Sequence, residues 1–437
     1  MTAMQSAPRS LRLHIGIFGR RNVGKSSLLN AITRQQVSIV SATAGTTTDP
    51  VEKPMELLPL GPVLFVDTAG VDDEGALGEL RVERSRAVLD RVDIGILVTE
   101  AGAWGAFEEG LLFEFAARKV PAIVVFNKAD LGMPGAEDLR LAEQHASAKA
   151  PAGPPKGLPE GGKLGPTPEK GLVVVVVSAA NGVGIGELRE AILRLAPADF
   201  FDNRRLVADL VPPGEVAVLV VPIDKEAPKG RLILPQVMAI RDLLDGESMA
   251  LVTQERELRN ALGRLTHPPA LVVTDSQAFL KVAADVPRDV PMTSFSILMS
   301  RFQGELTEQV RGTLGIERLK AGDRVLVAEA CSHHPIGEDI GRVKIPRWLT
   351  QYVGARLEFS HVQGRDFPRD PGPYKLVVHC GNCMGNRREM LSRIHRCREV
   401  GVPITNYGLT IAYSLGIFER ALEPFPAALE TFRAARA

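Results

Sequence analysis

The first part of the chain alternates short apolar runs with longer amphipathic stretches. The runs are rich in Val, Ile and Leu, which predicts buried β-strands separated by helices that pack on the sheet. This alternation is typical of a doubly wound α/β domain. The predicted strands are His14–Phe18, Val63–Val66, Ile94–Val98, Ala122–Phe126 and Leu172–Val177.

The pattern changes near residue 198, and we expect three domains: 1–198, 199–266 and 267–437. The middle segment has a predicted strand at 216–223 and predicted helices at 234–244 and 254–265. It is too small for an independent core, so we expect a small α+β unit that docks on a second copy. The last segment alternates again and predicts a parallel-sheet α/β domain, with strands at Ala270–Thr274, Arg324–Glu329, Arg356–Phe359 and Tyr374–Val378.

One stretch of the first domain departs from the alternation. Residues 133–171 contain many Pro, Gly, Lys and Glu residues, and we interpret them as a mobile surface insertion.

Composition excludes several classes of protein. The chain has 437 residues, of which 45% are hydrophobic and 24% charged, as in soluble globular proteins. Its 52 basic and 52 acidic residues balance, so the overall charge favours neither a nucleic acid nor a membrane as partner. The sequence has no apolar run of the roughly 18 residues that a membrane helix needs and no apolar leader. We therefore expect a cytoplasmic protein.

A glycine-rich motif follows the first predicted strand. Residues 19–26, GRRNVGKS, fit the P-loop pattern and precede a predicted helix. Backbone N–H groups of such a loop surround phosphates, and the helix N-terminus adds partial positive charge. Lys25 is expected to reach the β- and γ-phosphates, and Ser26 to bind Mg²⁺. A chance glycine-rich turn is the alternative. The predicted nucleotide contacts of this motif are Val23, Gly24, Lys25, Ser26 and Ser27.

Three further motifs follow strands in the order that a GTP site needs. Asp67 is placed to hold Mg²⁺ through water, and Gly70 to offer its N–H to the γ-phosphate, although both also suit an ordinary turn. Asn127, Lys128 and Asp130 form a guanine-recognition motif, in which the carboxylate accepts hydrogen bonds that adenine cannot donate. Ser178 and Ala179 follow the last strand and can present a backbone N–H to guanine O6. The four motifs together predict GTP binding.

This first domain resembles the potassium-activated GTPases, a group that includes the tRNA-modifying TrmE type. The resemblance implies that Asn22 binds K⁺ beside the phosphates and that Thr47, in the segment GTTTD (45–49), binds Mg²⁺. A glutamine that positions water in Ras-like enzymes is replaced by Val71, so we expect slow hydrolysis. Glu79 matches the water-orienting glutamate of the TrmE type, or is a solvated helix residue. Lys25, Thr47, Gly70 and Glu79 are thus the expected catalytic residues.

Four cysteines lie in the last quarter of the chain, and three of them follow predicted strands. Cys331 follows one strand, and Cys380 and Cys383 follow another, directly after His379. Because ligand sites lie at the carboxyl ends of parallel strands, we expect these thiols to converge. Cys397 falls on the apolar face of a predicted helix and is expected in the core.

The residues leave three interpretations of the three thiols open. One is a 4Fe–4S cluster held by three cysteines with one iron open to exchange, which Gly381 and Gly385 mildly favour. Another is a tetrahedral zinc site, and the third is a set of buried structural cysteines. The candidates for a fourth ligand, or for hydrogen-bonding support of the thiolates, are His333, His334, His379 and Glu338.

A potassium-type GTPase domain followed by C-x-H and H-C-x-x-C resembles one family, HydF, the maturation GTPase of di-iron hydrogenases. The motifs are Cys331–His333 and His379–Cys383, and the segment beginning at Gly230 resembles the dimerisation domain of that family. The resemblance implies a 4Fe–4S scaffold that delivers a di-iron precursor to apo FeFe-hydrogenase and works with two radical-SAM maturases as a homodimer. It also implies that GTP controls partner exchange.

Three other functions remain open on the sequence. A GTPase of tRNA modification or ribosome assembly shares the nucleotide motifs, but the chain has no visible RNA-binding motif. A zinc-stabilised GTP switch would use the cysteines structurally. A nucleotide-gated binding module without hydrolysis is the third, and Val71 favours it.

Overall fold

The computed structural model divides the chain into two compact units, Met1–Asp202 and Asn203–Ala437. The residues that the structure describes are 8–33, 51–57, 60–68, 88–147, 172–197, 200, 204–222, 232–330 and 339–436. Among the described helices, none is both long and apolar enough to cross a membrane.

The first unit is built on a six-stranded sheet with the order β2-β3-β1-β4-β5-β6. All of its neighbouring strands are parallel except β2, which pairs antiparallel with β3 at the edge of the sheet. The central strands are buried over their full length, as expected for parallel strands covered on both faces. The strands are β1 (Leu13–Phe18), β2 (Val51–Leu57), β3 (Gly61–Asp67), β4 (Ile94–Glu100), β5 (Ala122–Asn127) and β6 (Leu172–Val176).

The described helices of this unit cover both faces of the sheet. They are α1 (Lys25–Thr33), α2 (Ala106–Ala117), α3 (Ala136–Ser147) and α4 (Ile185–Leu195). Helix α3 corrects the interpretation of 133–171 as one mobile insertion, because its amphipathic sequence forms a regular helix. Residues 148–171 lie outside the described part. Strand β2, which sequence analysis missed, is polar and half exposed and so has no apolar run to detect.

A second sheet opens the second unit, with four parallel strands in the order β10-β9-β7-β8. Its strands are β7 (Val216–Val220), β8 (Met249–Thr253), β9 (Leu271–Thr274) and β10 (Met292–Ser294). The expected place of 270–274 in the last domain is wrong, because β9 pairs with β7. A boundary at residue 266 would cut this sheet, whose parallel strands give an α/β arrangement in place of the expected α+β.

Strand β7 needs neighbouring strands because a single strand cannot satisfy the hydrogen bonds of its own backbone. Its Val and Leu residues are buried on both faces, and only neighbours on both sides can complete the hydrogen bonds. The described helices between residues 234 and 313 are α5 (Leu234–Asp245), α6 (Leu258–Leu262), α7 (Phe279–Asp285), α8 (Phe295–Gln303) and α9 (Leu306–Thr313).

A third parallel sheet has the order β12-β11-β13-β14. Its strands are β11 (Arg324–Glu329), β12 (Glu358–Gln363), β13 (Leu376–His379) and β14 (Ile404–Asn406). The surrounding helices are α10 (Ile345–Val353), α11 (Arg387–Glu399), α12 (Tyr407–Ser414), α13 (Phe418–Leu422) and α14 (Pro426–Ala434).

The second and third sheets share one topology. In the second sheet, β8 lies at the edge beside β7, and β9 and β10 follow on the other side of β7. In the third sheet, β12 lies at the edge beside β11, and β13 and β14 follow on the other side of β11. The similarity extends to sequence, since β9 is LVVT and β13 is LVVH. The two halves also exchange helices, because α9 packs on β14 while α13 packs on β10. Both halves contribute to one hydrophobic core.

Candidate functional site

The P-loop connects β1 to α1 and is tied to the strand that carries the predicted guanine-recognition motif. The side-chain amide of Asn127, at the end of β5, donates to the carbonyl oxygen of Val23 at 2.9 Å. Gly24 has a positive φ of 86°, and a Cβ there would overlap with the Asn127 amide nitrogen. The loop therefore needs glycine at this position for both backbone and packing reasons.

The ammonium of Lys25 lies inside the loop. Its Nζ donates to the carbonyl oxygens of Gly19 at 2.8 Å and Arg20 at 2.7 Å. This placement keeps a positive charge at the opening of α1, where the helix N-terminus also favours an anion.

Asp67 and Ser26 come together beside this lysine. The Ser26 hydroxyl lies 3.4 Å from Oδ2 of Asp67, whereas Oδ1 is buried and has no hydrogen-bond partner among the described residues. Burial raises the pKa of Asp67, and Lys25 and Lys53 oppose that rise. A carboxylate oxygen buried without a donor, next to a hydroxyl, is a suitable environment for Mg²⁺.

The predicted guanine-binding residues form a connected network. The amide oxygen of Asn127 accepts from the Ala179 N–H at 3.1 Å, so Asn127 joins the P-loop to the loop after β6. The Ser178 hydroxyl donates to Oδ1 of Asp130 at 2.5 Å and fixes that carboxylate. Lys128 has a left-handed backbone, and its ammonium pairs with Glu100 at 2.6 Å.

Arg20 of the P-loop is supported by a residue that belongs to none of the predicted motifs. Glu108 of α2 is fully buried and makes two hydrogen bonds to the guanidinium, at 2.9 and 2.8 Å. It also accepts from the backbone N–H of Gly105 at 3.1 Å. Its position three residues after a glycine at a helix start was a capping signal.

Several predicted residues of the nucleotide site cannot be placed. Thr47, Gly70 and Glu79 lie outside the described residues. Asn22 is described, with an exposed side chain and a left-handed backbone at φ 62°, and Ser27 is exposed on the first turn of α1.

The cysteine edge lies at the carboxyl ends of β11 and β13. The Ala330 N–H, directly after β11, donates to Sγ of Cys380 at 3.1 Å, and the Asn382 N–H lies 3.4 Å from the same sulfur. Cys380 and Cys383 are both half-buried and pack against the shared core. Strand β12 lies on one side of β11, and β13 and β14 lie on the other, so the strand order reverses between β11 and β13. Open α/β sheets bind ligands at such a point.

Hydrogen bonds and close packing fix the conformation of the loop that contains Cys380 and Cys383. Asn382 has a left-handed backbone at φ 54°, is buried, and donates to the Asn386 carbonyl at 2.9 Å. A Cβ at Gly385 would overlap with the Asn382 side chain. Asn386 then caps α11, since its side chain accepts from the Glu389 N–H at 3.1 Å.

Both ring nitrogens of His379 are engaged within the protein. Nδ1 lies 2.8 Å from the Cys380 carbonyl oxygen, and Nε2 lies 2.7 Å from a guanidinium nitrogen of Arg393. Burial and the nearby Arg393 lower the pKa of His379 to about 3. The structure thus places His379 next to the cysteine loop, but not with a nitrogen open to a metal.

A group of buried polar side chains lies near Cys380. Tyr407 donates to Glu329 at 3.2 Å, and Gln363 donates to the second oxygen of that carboxylate at 2.9 Å. Burial, Glu329 and Cys380 raise the pKa of Tyr407. Asp339 is also buried and accepts from the Arg342 N–H at 2.7 Å. These polar residues gave no sequence signal, because none belongs to a spaced motif.

The remaining cysteines differ in position. Cys397 is fully buried in the core beside Ile394, and burial raises the pKa of its thiol to about 12, as its place on an apolar helix face suggests. Cys331, His333, His334 and Glu338 lie outside the described residues. Within the described part of the chain, no group of three or more His, Cys, Asp or Glu residues is arranged to hold a metal.

Three family models match successive parts of the chain. A model described as a 50S ribosome-binding GTPase matches residues 14–128, the Hydrogen maturase F dimerization domain matches 206–304, and the Hydrogen maturase F tetramerization domain matches 307–424.

Two GTPases are similar to part of the chain. The tRNA modification GTPase MnmE of Heliobacterium modesticaldum is 34% identical over 185 residues, which are 42% of this chain and 34% of that protein. The GTPase Der of Wolinella succinogenes is 33% identical over 199 residues, 44% of this chain and 37% of that protein. The chain thus spans about a third of their lengths. The solved structure of Aquifex aeolicus Era is 21% identical, with a TM-score of 0.32, and covers 57% of this chain and 97% of that one.

The doubly wound sheet, the P-loop and the matched GTPase domain define the class of the protein, a P-loop GTPase for which GTP and Mg²⁺ are the ligands. The two maturase domains that follow, covering most of the second unit, make the assignment specific. The chain belongs to the HydF family of hydrogenase maturation GTPases.

Proposed function

We propose that this chain is a scaffold and carrier that binds a 4Fe–4S cluster through Cys331, Cys380 and Cys383. In this role it assembles a di-iron precursor and delivers it to apo FeFe-hydrogenase. GTP hydrolysis controls the exchange of partners, among them two radical-SAM maturases. The observation that carries the proposal is the contact between the Ala330 N–H and the Cys380 sulfur.

That contact supports convergence of the three thiols. Cys331 follows Ala330 directly, and successive Cα atoms joined by a trans peptide bond are about 3.8 Å apart, which supports the proposal that Cys331 can reach Cys380. Asp339 and Cys380 both raise the pKa of Tyr407 through their charges. Ala330 and Asp339, the described residues on either side of 331–338, thus both lie near this edge of the sheet.

The chemistry of the edge fits a cluster. Two backbone N–H groups point at Cys380 Sγ, and hydrogen bonds to cysteine sulfur stabilise thiolates and tune iron–sulfur clusters. Since His379 uses both nitrogens internally, Glu338 or His333 is the better candidate for a fourth, exchangeable ligand. When bound, the cluster supplies an iron that can exchange ligands with its cargo.

The proposal also covers the rate of GTP hydrolysis and the residues that bind K⁺ and Mg²⁺. Asn22 would bind K⁺ between phosphates, and that charge would compensate for the missing glutamine at Val71. Thr47 and Ser26 would bind Mg²⁺ directly and Asp67 through water, while Gly70 contacts the γ-phosphate and Glu79 orients water. Hydrolysis is then slow and stimulated by potassium.

A homodimer is part of the proposal. Strand β8 is an edge strand whose Met249 and Val252 are exposed, and the neighbouring α5 exposes Val237 and Leu244. An edge strand that exposes apolar side chains offers a surface that a second copy can cover. Charged substitutions at Met249 and Val252 should therefore give smaller particles in light scattering.

Metal analysis of anaerobically purified protein tests the cluster. We expect about four irons per chain with equal sulfide, and loss of iron in Cys331→Ser, Cys380→Ser and Cys383→Ser. Cys397→Ala is the matched control and should keep its iron, because Cys397 lies in the core. One zinc and no sulfide would refute the carrier role and leave a zinc-stabilised switch. Activation of apo-hydrogenase by the reconstituted protein then tests delivery.

A further inference from the structure

We infer that Arg393 and His379 form a clamp that positions the backbone of Cys380, so that His379 acts on the cysteine loop as a hydrogen-bond donor. The inference rests on the proposed function for its biological role, but its geometry is independent of any bound iron. Two observations carry it: the hydrogen bonds around the imidazole, and a second copy of the same topology elsewhere in the chain.

The hydrogen bonds fix the proton on the ring. Arginine carries only donors, so its contact with Nε2 at 2.7 Å requires a lone pair on that nitrogen. The proton of the neutral ring is then on Nδ1, which donates to the Cys380 carbonyl oxygen at 2.8 Å. Arg393 thereby selects the tautomer that holds the first cysteine of the pair.

Arg393 is itself held in place from three sides. It is buried and donates to the Gly364 carbonyl at 2.7 Å and to Glu389, one turn earlier on α11, at 2.5 Å. The face of its guanidinium lies over the ring of Phe367, with 5.1 Å from Cζ to the centroid. A guanidinium fixed this way directs an N–H of Nη1 toward His379.

The second sheet of this unit is an internal comparison. Strand β9 occupies the place of β13, and their last residues align in the ladders: Thr274 pairs with Val220 and Ser294 as His379 pairs with Ala328 and Asn406. Thr274 thus takes the place of His379, Asp275 that of Cys380, and helix α7 contains no arginine. The topology folds without the clamp, so the clamp serves the cysteine loop rather than the sheet.

The first test needs no iron. In apo protein with ¹⁵N-labelled histidine, the ring signals of His379, identified by their loss in His379→Asn, should report a proton on Nδ1. Arg393→Met should move that proton to Nε2 or give a mixture, and Arg393→Lys, which keeps a charged donor, should restore the wild-type signal in part. A wild-type proton on Nε2, or an unchanged signal in Arg393→Met, would overturn the clamp.

The second test uses protein reconstituted with iron and sulfide. His379→Asn keeps a donor near the position of Nδ1, whereas His379→Gln places its polar atoms near Nε2. The clamp predicts that both variants bind iron. It also predicts that His379→Asn preserves the EPR spectrum and reduction potential better than His379→Gln does. If His379 were a ligand through Nε2, the order would reverse, and that result would refute the clamp.

A matched control separates positioning from general damage to α11. Arg398→Met makes the same change on the same helix, where the guanidinium pairs with Glu305 and Glu308 at the surface. It should leave the histidine signals, the EPR spectrum and the potential unchanged. Failure of every variant and of the wild type to bind iron would refute the proposed function while the tautomer result still stood.

Discussion

The backbone N–H of Ala330 lies 3.1 Å from Sγ of Cys380 and donates to it, although 50 residues separate the two along the chain. The contact joins the ends of two neighbouring parallel strands at one sulfur atom. Cys331 is the residue that follows Ala330 in the chain. In this respect the cysteine site resembles the nucleotide site, where Asn127 also ties together loops that follow different strands.

Asp130 should determine the choice of base. Asp130→Asn replaces an acceptor for guanine N1 and N2 with a group that can donate, and two hydrogen bonds to a charged group are lost. We expect affinity for GTP to fall by about 100-fold and affinity for xanthosine triphosphate to rise. Asp138→Asn, which changes a helix-capping carboxylate on the same unit, is the control. Equal loss of both nucleotides in Asp130→Asn would contradict this role.

The buried Glu108 should depend on Arg20. In Arg20→Met the carboxylate loses its paired charge while remaining fully buried, and we expect the first unit to lose about 2 kcal/mol of unfolding free energy, reduced by the partial exposure of Arg20. The double variant Arg20→Met/Glu108→Leu should recover much of that loss. Urea unfolding can be followed by Trp104 fluorescence in a Trp348→Phe background. Additive effects of the two substitutions would disprove the coupling.

Acid should destabilise the first unit through His14. Burial lowers the pKa of this histidine to about 4, below its usual 6.5, so the unfolded chain holds more protons between these pH values. Stability attributable to His14 is present above pH 6.5 and falls by up to about 3 kcal/mol as pH drops to 4. His14→Gln keeps a donor for the Arg9 carbonyl and should flatten this dependence. An unchanged pH profile would assign the acid sensitivity to other groups.

Potassium should stimulate phosphate release by way of Asn22. The rate in KCl should exceed the rate in NaCl by about tenfold or more, because a cation between phosphates stabilises charge in the transition state. Asn22→Ala should remove the difference between the salts. Asn260→Ala, at an exposed position of the second unit, should retain it. Equal rates in both salts for the wild type would rule out this ion site.

The shape of the cysteine loop should require glycine at position 385. In Gly385→Ala the new Cβ overlaps with the buried Asn382 side chain, so the loop must move. We expect reduced iron content after reconstitution while the unit remains folded by circular dichroism. Gly186→Ala, where a Cβ meets no neighbouring atom, is the control. Full iron content in Gly385→Ala would indicate that the loop adapts.

The sequence alone determined the class of the protein and the motifs of its nucleotide site. Motifs such as GRRNVGKS are local, because a phosphate loop must be built from neighbouring residues, and they were identified without any structure. The strands β1, β11 and β13 were predicted nearly at their observed bounds, since buried parallel strands are continuous apolar runs. The place of Cys397 in the core likewise follows from helical periodicity.

Only the tertiary structure decided which strands pair and which side chains meet. Strand β9 carries an apolar run that suits either sheet, and long-range hydrogen bonds to β7, rather than local propensity, assign it to the second sheet. The contacts of Arg393 with His379 and of Glu108 with Arg20 join distant residues whose types are individually unremarkable. The partner of each of these side chains depends on the tertiary fold, which the pattern of apolar and polar residues along the sequence does not encode.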